Sequence, residues 1–242
     1  MNRPAPLYGK KSVSWSTVAA NIFCALAVCL LVLLSVNAYL NRRYPPLVVI
    51  GSSMQKTFEG GDCLFTDERE TPVRGDVVII DVTGYPDKYQ PHGEEEYYII
   101  KRLIAVEGDS LYCKDGVVYL KKSGEDAFSA LDEPYVYTHS SAKQSDFGGV
   151  LGGKPNEVKK DALGNYGVLD YDERGNVVPV TVGEGEIFFL GDHRDNSTDA
   201  RDVGCLKLTD IASVVPKWAI KWKWYSTGLE NFREKILGFF GL

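Results

Sequence analysis

The first 43 residues of the chain contain no acidic side chain, and the stretch from Thr17 to Leu40 contains no charged side chain of either sign. This stretch has 24 residues, rich in Leu, Val and Ala. As a helix it would span about 36 Å, more than the ~30 Å hydrocarbon core of a bilayer. A cleaved secretory signal has a shorter apolar core that ends in small residues, whereas Asn41-Arg42-Arg43 follows here. The sequence therefore predicts a retained transmembrane anchor at residues 17–40, after a cytoplasmic tail at residues 1–16.

Basic residues are the minority in the rest of the chain. Residues 44–242 carry 22 basic and 33 acidic side chains, a net charge of −11. Such a domain is poorly suited to bind nucleic-acid phosphates, so no nucleic-acid partner is expected. Three basic side chains precede the apolar stretch and two follow it, which favours an N-terminus in the cytoplasm.

Cysteines are few, and no Cys-x-x-Cys pair occurs. Two of the five lie in the predicted anchor, and the other three are isolated in sequence: Cys63, Cys113 and Cys205. An odd number outside the membrane argues against a disulfide-stapled fold, and the spacing argues against a cysteine zinc site. Free thiols are expected.

Helical periodicity is missing from residues 45–225. Short runs rich in Val, Ile, Tyr and Phe occur instead, most of them bounded by turn-forming pairs such as Gly-Asp or Asp-Gly. The sequence predicts a mainly β domain of antiparallel sheets behind one N-terminal transmembrane helix. The predicted strands are Val48–Ile50, Asp76–Val82, Tyr97–Val106, Val117–Leu120, Val177–Val182 and Ile187–Leu190.

The predicted β core has two parts, residues 41–120 and residues 177–225. Between them, residues 121–176 are rich in Gly, Lys, Asp and Ser and only weakly patterned, which indicates an insertion or accessory subdomain. Residues 226–242 have apolar side chains at helical spacing and predict an amphipathic tail.

Aromatic and basic side chains alternate just before that tail. Trp218, Ile220, Trp222 and Trp224 recur at period 2 and alternate with Lys221 and Lys223, so a strand would place the indoles on one face. That face could pack in the core or rest at the membrane interface, and the sequence leaves both open.

Histidines are also few, and none lies near a Gly-x-Ser-x-Gly elbow, so a nucleophilic serine would need another base. The segment after the first predicted strand holds Ser52 and Ser53, with Lys56 three positions beyond Ser53. A Ser-x-x-Lys site needs a helix at this point and Ser-Asp-Asn and Lys-Thr-Gly elements elsewhere. The tripeptides are absent, and Gly60-Gly61 indicates a turn.

Lys101 is the better candidate for the base. A strand would place it beside Ile99, Leu103 and Ala105, an apolar setting that can keep an amine neutral. A free lysine, with a pKa of about 10.4, is almost fully protonated near neutral pH. A lysine that acts as a general base therefore needs such an apolar setting to lower its pKa.

Four segments, in order, carry a specific resemblance: "GSSMQKT", "RGDVVII", "IIKRLIAVEGD" and "GDHRDNSTDARDVG". They resemble the Ser-Met box, the Gly-Asp-Val strand, the Lys-Arg box and the Gly-Asp-Asn-Arg-Asp-Asn-Ser-x-Asp-Ser-Arg box of the type I signal peptidases. An apolar anchor precedes the first box, as in that family. The resemblance implies the family's β domain, a complex of coiled antiparallel sheets.

The resemblance also implies roles for individual residues. Ser53 corresponds to the nucleophile and Lys101 to the general base, while Ser197 corresponds to a hydroxyl that orients the base. Asp199 and Arg201 correspond to an acidic and a basic residue that hold the site together as an ion pair.

Other positions are implied to support the site. Met54 would help to wall the pocket, and Arg102 completes the Lys-Arg box. Three positions depart from the family's pattern: Lys56 replaces a proline, His193 replaces an asparagine, and Gly51 lacks the side-chain hydroxyl of some members. Gly51 can therefore offer backbone only, and His193 is expected to be structural.

The function implied is that of a membrane-bound serine endopeptidase, signal peptidase I, which removes signal peptides after small residues through an acyl-enzyme. Its partners would be signal peptides and the lipid bilayer, with the catalytic domain outside the cytoplasm and no metal or cofactor.

Two alternatives remain: a repressor-type Ser-Lys autoprotease, and a non-catalytic relative that assists surface-protein assembly. The last box by itself could also be a polar or calcium-binding loop, because Asp192, Asp195, Asn196 and Asp199 offer oxygen ligands.

Overall fold

The computed structural model describes residues 14–85, 87–89, 96–139 and 143–220. The chain divides into two compact units, residues 1–43 and residues 44–242. The described part of the first unit is a helix, α1 (Trp15–Arg43), whose most apolar window has a mean hydropathy of 2.6. Among the described residues it is the one helix long and apolar enough to cross a membrane. Ser14 accepts a hydrogen bond from the Thr17 N–H and so caps its first turn.

The second unit is mainly β, which confirms the predicted fold class. Its described strands are β1 (Pro46–Val48), β2 (Cys63–Phe65), β3 (Val77–Asp81), β4 (Tyr98–Val106), β5 (Ser110–Lys114), β6 (Val117–Lys121), β7 (Ser129–Ala130), β8 (Val180–Thr181), β9 (Glu186–Leu190), β10 (Leu206–Lys207) and β11 (Ile211–Val215). Two short helices, α2 (Ala200–Val203) and α3 (Lys217–Ile220), and a 3₁₀ turn at Leu208–Asp210 complete the set.

The strands form three antiparallel sheets. β1 pairs with β2, the central sheet has the order β10-β9-β4-β3-β11, and the third has the order β7-β6-β5-β8. In the central sheet the first half of β4 pairs with β3, from Tyr98 opposite Asp81 to Arg102 opposite Val77. β9 pairs only with the second half, from Arg102 onward. On the β9 side, residues 98–101 therefore have no ladder partner among the described strands.

Two apolar clusters hold the sheets. The larger one packs the central sheet against the third sheet and includes Leu103, Phe188 and Phe189, each fully buried. Full burial of such a side chain contributes about 1.5–3 kcal/mol. The smaller cluster lies under the turn that follows β1, and its members are Val49, Met54, Phe58, Leu64, Val77, Ile79, Ile100 and Val215.

The described part of residues 121–176 consists mainly of irregular segments and turns, with isolated bridges and the short strand β7. The strand expected around Trp218 is wrong for Lys217–Ile220, which form helix α3. Trp218 is partly exposed, and its ring meets the edge of Tyr44 at 5.4 Å and lies 6.0 Å from Phe65. Trp222, Trp224 and the tail predicted at residues 226–242 lie outside the described residues.

Candidate active site

A tight turn after β1 carries Ser53. The turn is anchored on both sides, because the Val49 N–H donates to Asp62 O (2.8 Å) and the Gly61 N–H donates to Val49 O (2.8 Å). Gly51 has φ +88°, a conformation that L side chains rarely adopt, so the turn favours glycine there. Residues 53–57 form turns and no helix, as expected, so the geometry of a Ser-x-x-Lys site is absent here.

Strand β4 brings Lys101 to Ser53. Lys101 lies opposite Val78 in the sheet and is 4 % exposed. Its Nζ donates to Ser53 Oγ at 2.9 Å and to Ile100 O at 3.1 Å. Burial lowers the pKa of Lys101 to about 8, although the charges of Asp199 and Asp192 act in the opposite direction. The strand thus holds an amine that loses its proton readily against a serine hydroxyl.

Lys56, the competing base, points to an aromatic ring. It is exposed, and its Nζ lies 4.6 Å from the centroid of the Tyr137 ring. No hydrogen bond joins Lys56 to Ser53 in the described part of the chain. The geometry therefore favours Lys101.

Asp199 and Arg201 form a fully buried, bidentate ion pair. Arg201 Nε donates to Asp199 Oδ1 (2.8 Å) and its NH2 group donates to Oδ2 (2.9 Å), while Oδ2 also accepts the Gly191 N–H at 3.0 Å. Burial alone would raise the pKa of Asp199, but the charge and hydrogen bonds of Arg201 outweigh it and lower the pKa. The pair thereby fixes the backbone at the end of β9.

Arg102 forms a second bidentate pair, with Asp192. Its Nε donates to Asp192 Oδ1 (2.7 Å), its NH2 group donates to Oδ2 (2.5 Å), and its guanidinium stacks 3.7 Å from the centroid of the Tyr135 ring. The carboxylates of Asp192 and Asp199 are therefore each already paired with an arginine. A calcium loop built on both carboxylates does not fit this arrangement.

Ser197 and Met54 lie close to the site without touching the Lys101 amine. The hydroxyl of Ser197 is buried and has no hydrogen-bond partner among the described residues. Ser197 lies against Gly191 and lines, with Ser53, a polar pocket of about 390 Å³. Met54 is 1 % exposed and packs in the smaller apolar cluster, beneath the site.

Arg194 was assigned no role from the sequence, and its side chain is fully buried behind the site. Its Nε donates to Gly191 O at 3.0 Å, and its far end contacts Glu133 and Gln144. Both partners belong to the weakly patterned segment, 61 and 50 positions earlier in the chain. The "GDHRDN" motif was a signal for Arg194, but nothing in the sequence indicated its partners.

His193 holds the backbone of the nucleophile turn. Its backbone N–H donates to Ser53 O at 3.0 Å, and its ring Nδ1 lies 3.1 Å from Ser52 O. The ring is fully buried. This is the structural position expected for it.

A cleft of about 680 Å³ opens beside Ser53 and Lys101. One wall comes from residues 47–50, at the end of β1, and the other from residues 97–100, at the start of β4. The second wall is the part of β4 that has no ladder partner on the β9 side. An extended peptide in the cleft would therefore meet a strand edge that no described strand pairs with.

The family model described as signal peptidase, peptidase S26, matches residues 17–219. The chain belongs to this family. Signal peptidase S26 proteins are serine proteases that cleave signal peptides, so the chain is a member of a hydrolase family whose substrates carry signal peptides. The apolar helix near its N-terminus fits a membrane-anchored member.

Named relatives agree with this family. The chain is 28 % identical to signal peptidase I of Bacillus licheniformis, over 74 % of this chain and 75 % of the relative. It is 27 % identical to signal peptidase I T of Bacillus subtilis strain 168, over 74 % and 72 %. For signal peptidase I of Rickettsia bellii strain OSU 85-389 the identity is 28 %, over 65 % of this chain and about half (49 %) of the relative.

Among solved structures, the chain is similar to a crystal structure of a signal peptidase I from Enterococcus faecalis V583. The two are 20 % identical in sequence, with a TM-score of 0.38. The match covers 61 % of this chain and 98 % of the other.

Proposed function

We propose that the chain is a membrane-bound endopeptidase that removes N-terminal signal peptides from secretory pre-proteins by a Ser53–Lys101 dyad. The observation that carries the proposal is the 2.9 Å contact between Lys101 Nζ and Ser53 Oγ in a buried setting. Membership in the signal peptidase family supplies the reaction class.

Lys101 is the general base. A pKa near 8 leaves about half of the amine neutral at pH 8, so its lone pair can accept the Ser53 proton as the oxygen attacks the scissile carbonyl. The same nitrogen then returns the proton to the departing amine. Water, activated in the same way, hydrolyses the acyl-enzyme and frees Ser53.

The backbone N–H of Ser53 donates to the oxyanion that develops in this step. Gly51 has no hydroxyl to add, so the oxyanion relies on backbone donors at this turn. Ser197 orients the base when substrate excludes water, and the Asp199–Arg201 pair holds Gly191 and the Ser53 turn at the correct distance.

The substrate lies extended in the cleft and adds to the free edge of β4 at residues 98–101. Main-chain hydrogen bonds position it, and alternate side chains turn toward the protein. Shallow apolar walls, formed in part by Ile79 and Ile99, accept small side chains one and three positions before the cleaved bond.

Helix α1 anchors the protein in the bilayer, and the catalytic domain lies outside the cytoplasm, where signal peptides emerge. Three basic residues before the apolar stretch and two after it support this orientation.

The test is cleavage of a purified pre-protein by the full chain in detergent, with the new N-terminus identified by mass spectrometry. Cleavage after a small residue is expected, and Ser53→Ala should abolish it. Ser52→Ala is the matched control, because it removes a neighbouring hydroxyl that accepts from Asn196 Nδ2. Self-cleavage alone would indicate a repressor-type autoprotease, and no cleavage would indicate a non-catalytic relative.

A further inference from the structure

Three side chains of types that can bind metal ions lie close together beside the nucleophile turn. One nitrogen each of His139 and His193 and a carboxylate oxygen of Asp195 lie within 4.8 Å of one another. His193 Nε2 is 3.1 Å from His139 Nδ1 and 3.0 Å from Asp195 Oδ1. None of these side chains has a role in the proposed reaction.

The hydrogen bonds of His193 direct one of its ring nitrogens into this cluster. Its Nδ1 faces the carbonyl oxygen of Ser52, which can only accept, so Nδ1 carries a hydrogen. In the neutral ring Nε2 then presents a lone pair, and it faces a carboxylate oxygen of Asp195 that also only accepts. The same nitrogen lies 3.1 Å from His139 Nδ1, so a cation placed among these three atoms would meet two imidazole nitrogens and one carboxylate oxygen.

Backbone contacts fix the three ligands relative to one another. The Tyr137 N–H donates to Asp192 O and the Arg194 N–H donates to Tyr137 O, both at 2.8 Å, which joins the two segments that carry the ligands. The His139 N–H donates to Asp195 Oδ2, also at 2.8 Å. This bond occupies one carboxylate oxygen and leaves Oδ1 directed at His193.

We propose that His139, His193 and Asp195 form a binding site for a divalent transition-metal ion of the Zn²⁺ class. Two imidazole nitrogens and one carboxylate oxygen suit Zn²⁺, whereas Ca²⁺ and Mg²⁺ prefer oxygen ligands throughout. Bonds of 2.0–2.1 Å in a tetrahedron place ligand atoms about 3.3 Å apart. The contacts of 3.1 and 3.0 Å at His193 Nε2 are close to that separation.

The second contact of His193 fits the same role. A metal-ligating histidine usually donates its other ring N–H to a carbonyl or a carboxylate, which fixes its orientation. Here the acceptor is Ser52 O, one residue before the nucleophile. A metal ion at this site would therefore be joined to the nucleophile turn through a single imidazole ring.

The site was not expected from the sequence, which offered no cysteine pair. The two histidines lie 54 positions apart, and an isolated histidine is a weak signal. The fold brings them together by pairing the segment around Tyr137 with the segment after β9.

The test is metal binding to the untagged, chelator-treated full chain in detergent. Co²⁺ is titrated by its visible absorption and Zn²⁺ by calorimetry. One ion per chain is expected, with Zn²⁺ displacing Co²⁺. His139→Ala and Asp195→Asn should each weaken Zn²⁺ binding at least about tenfold, because each removes one of three ligands. Both residues are exposed, so these variants spare the core.

Asp161→Asn is the matched control, since Asp161 is another exposed carboxylate that accepts backbone N–H groups, and it should bind Zn²⁺ unchanged. The proposal is wrong if the parent chain binds no Zn²⁺, or if both ligand variants bind it as tightly as the parent. Because Ser53 is not a ligand, Ser53→Ala should bind normally. Metal binding and the proposed cleavage can therefore fail independently.

Discussion

Gly191 lies in contact with both Ser53 and Ser197. A β-carbon at position 191 would collide with the Ser197 hydroxyl and would lie 2.6 Å from the backbone oxygen of Ser53. The same glycine donates its N–H to Asp199 and accepts from Arg194. One residue without a side chain thus connects the nucleophile turn with Arg194 and with the Asp199–Arg201 pair.

This packing predicts that Gly191→Ala is severely impaired in cleavage. The added methyl group has no room, so the Ser53 turn must shift, and a displacement of about 1 Å at a catalytic group can cost about 100-fold in rate. The measurement is kcat/KM on a pre-protein. Gly84→Ala is the control, because a β-carbon there meets nothing within 4 Å and should leave kcat/KM unchanged. An active Gly191→Ala chain would show that the turn tolerates movement.

The Asp199–Arg201 pair predicts a joint loss of stability and activity. Asp199→Ala leaves the fully buried guanidinium of Arg201 without its carboxylate, which costs about 3–5 kcal/mol for a buried pair. Thermal melting and cleavage should both fall. Glu125→Ala, which breaks the exposed Lys122–Glu125 pair, should change neither. An Asp199→Ala chain that melts and cleaves normally would show that the site does not depend on this ion pair.

Orientation in the membrane can be tested on intact cells. With the catalytic domain outside the cytoplasm, protease added to intact protoplasts should digest it. A cytoplasmic marker protein in the same sample should survive and thereby report that the membrane is sealed. Survival of the domain until lysis would reverse the orientation and contradict the proposed function.

The sequence predicted best where local pattern and structure agree. β4 and β9 contain long runs of Val, Ile, Leu and Phe, and both strands occur within one residue of their predicted bounds. β5 and β11 were missed, because "SLYCK" and "IASVV" mix small or polar residues with apolar ones and owe their pairing to β6 and β3. The partner of β11 is distant in sequence and leaves little local signal, whereas β5 pairs with β6 across the short turn at Asp115-Gly116, which was the signal for it.

The candidate site shows the same contrast between residues that lie in local motifs and residues whose contacts depend on distant segments. Ser53, Lys101, Asp199 and Arg201 lie in recognisable motifs, and their contacts were expected from them. The contacts of Arg194 with Glu133 and Gln144 could not be predicted, because both partners lie in a segment of weak pattern. Helix α3 at Lys217–Ile220 was misassigned as a strand, because period-2 alternation over so few residues does not exclude a helical turn.

Replacement of a lysine by Met should have opposite effects on cleavage at Lys101 and at Lys56. Lys101→Met should abolish cleavage, because Met keeps most of the side-chain volume and removes the amine that contacts Ser53. Lys56→Met, or Lys56→Pro, should keep turnover within about tenfold, a barrier change of roughly 1.4 kcal/mol. In the parent chain, activity should fall as the pH drops below about 8, where Lys101 becomes protonated. Loss in Lys56→Met with activity in Lys101→Met would reverse the assignment.

Burial of Lys101 also predicts how stability depends on pH. The pKa of this lysine is about 8 in the folded chain, against about 10.4 when unfolded. Between these values the unfolded state binds more protons, so the folded state gains stability as pH rises through the window. Below about pH 8 both states are protonated, and burial of the charge costs the fold about 3 kcal/mol.

Lys101→Met removes this cost. At pH 7 the variant should therefore be more stable than the parent, by up to about 3 kcal/mol, and its advantage should shrink as the pH approaches 10.4. Urea unfolding in detergent at pH 7, 8.5 and 10 measures the difference. Lys56→Met is the control, because it removes an exposed amine and should shift stability equally at all three pH values. A Lys101→Met chain that is less stable than the parent at pH 7, with no change in the difference at pH 10, would mean that the folded chain does not disfavour the Lys101 charge.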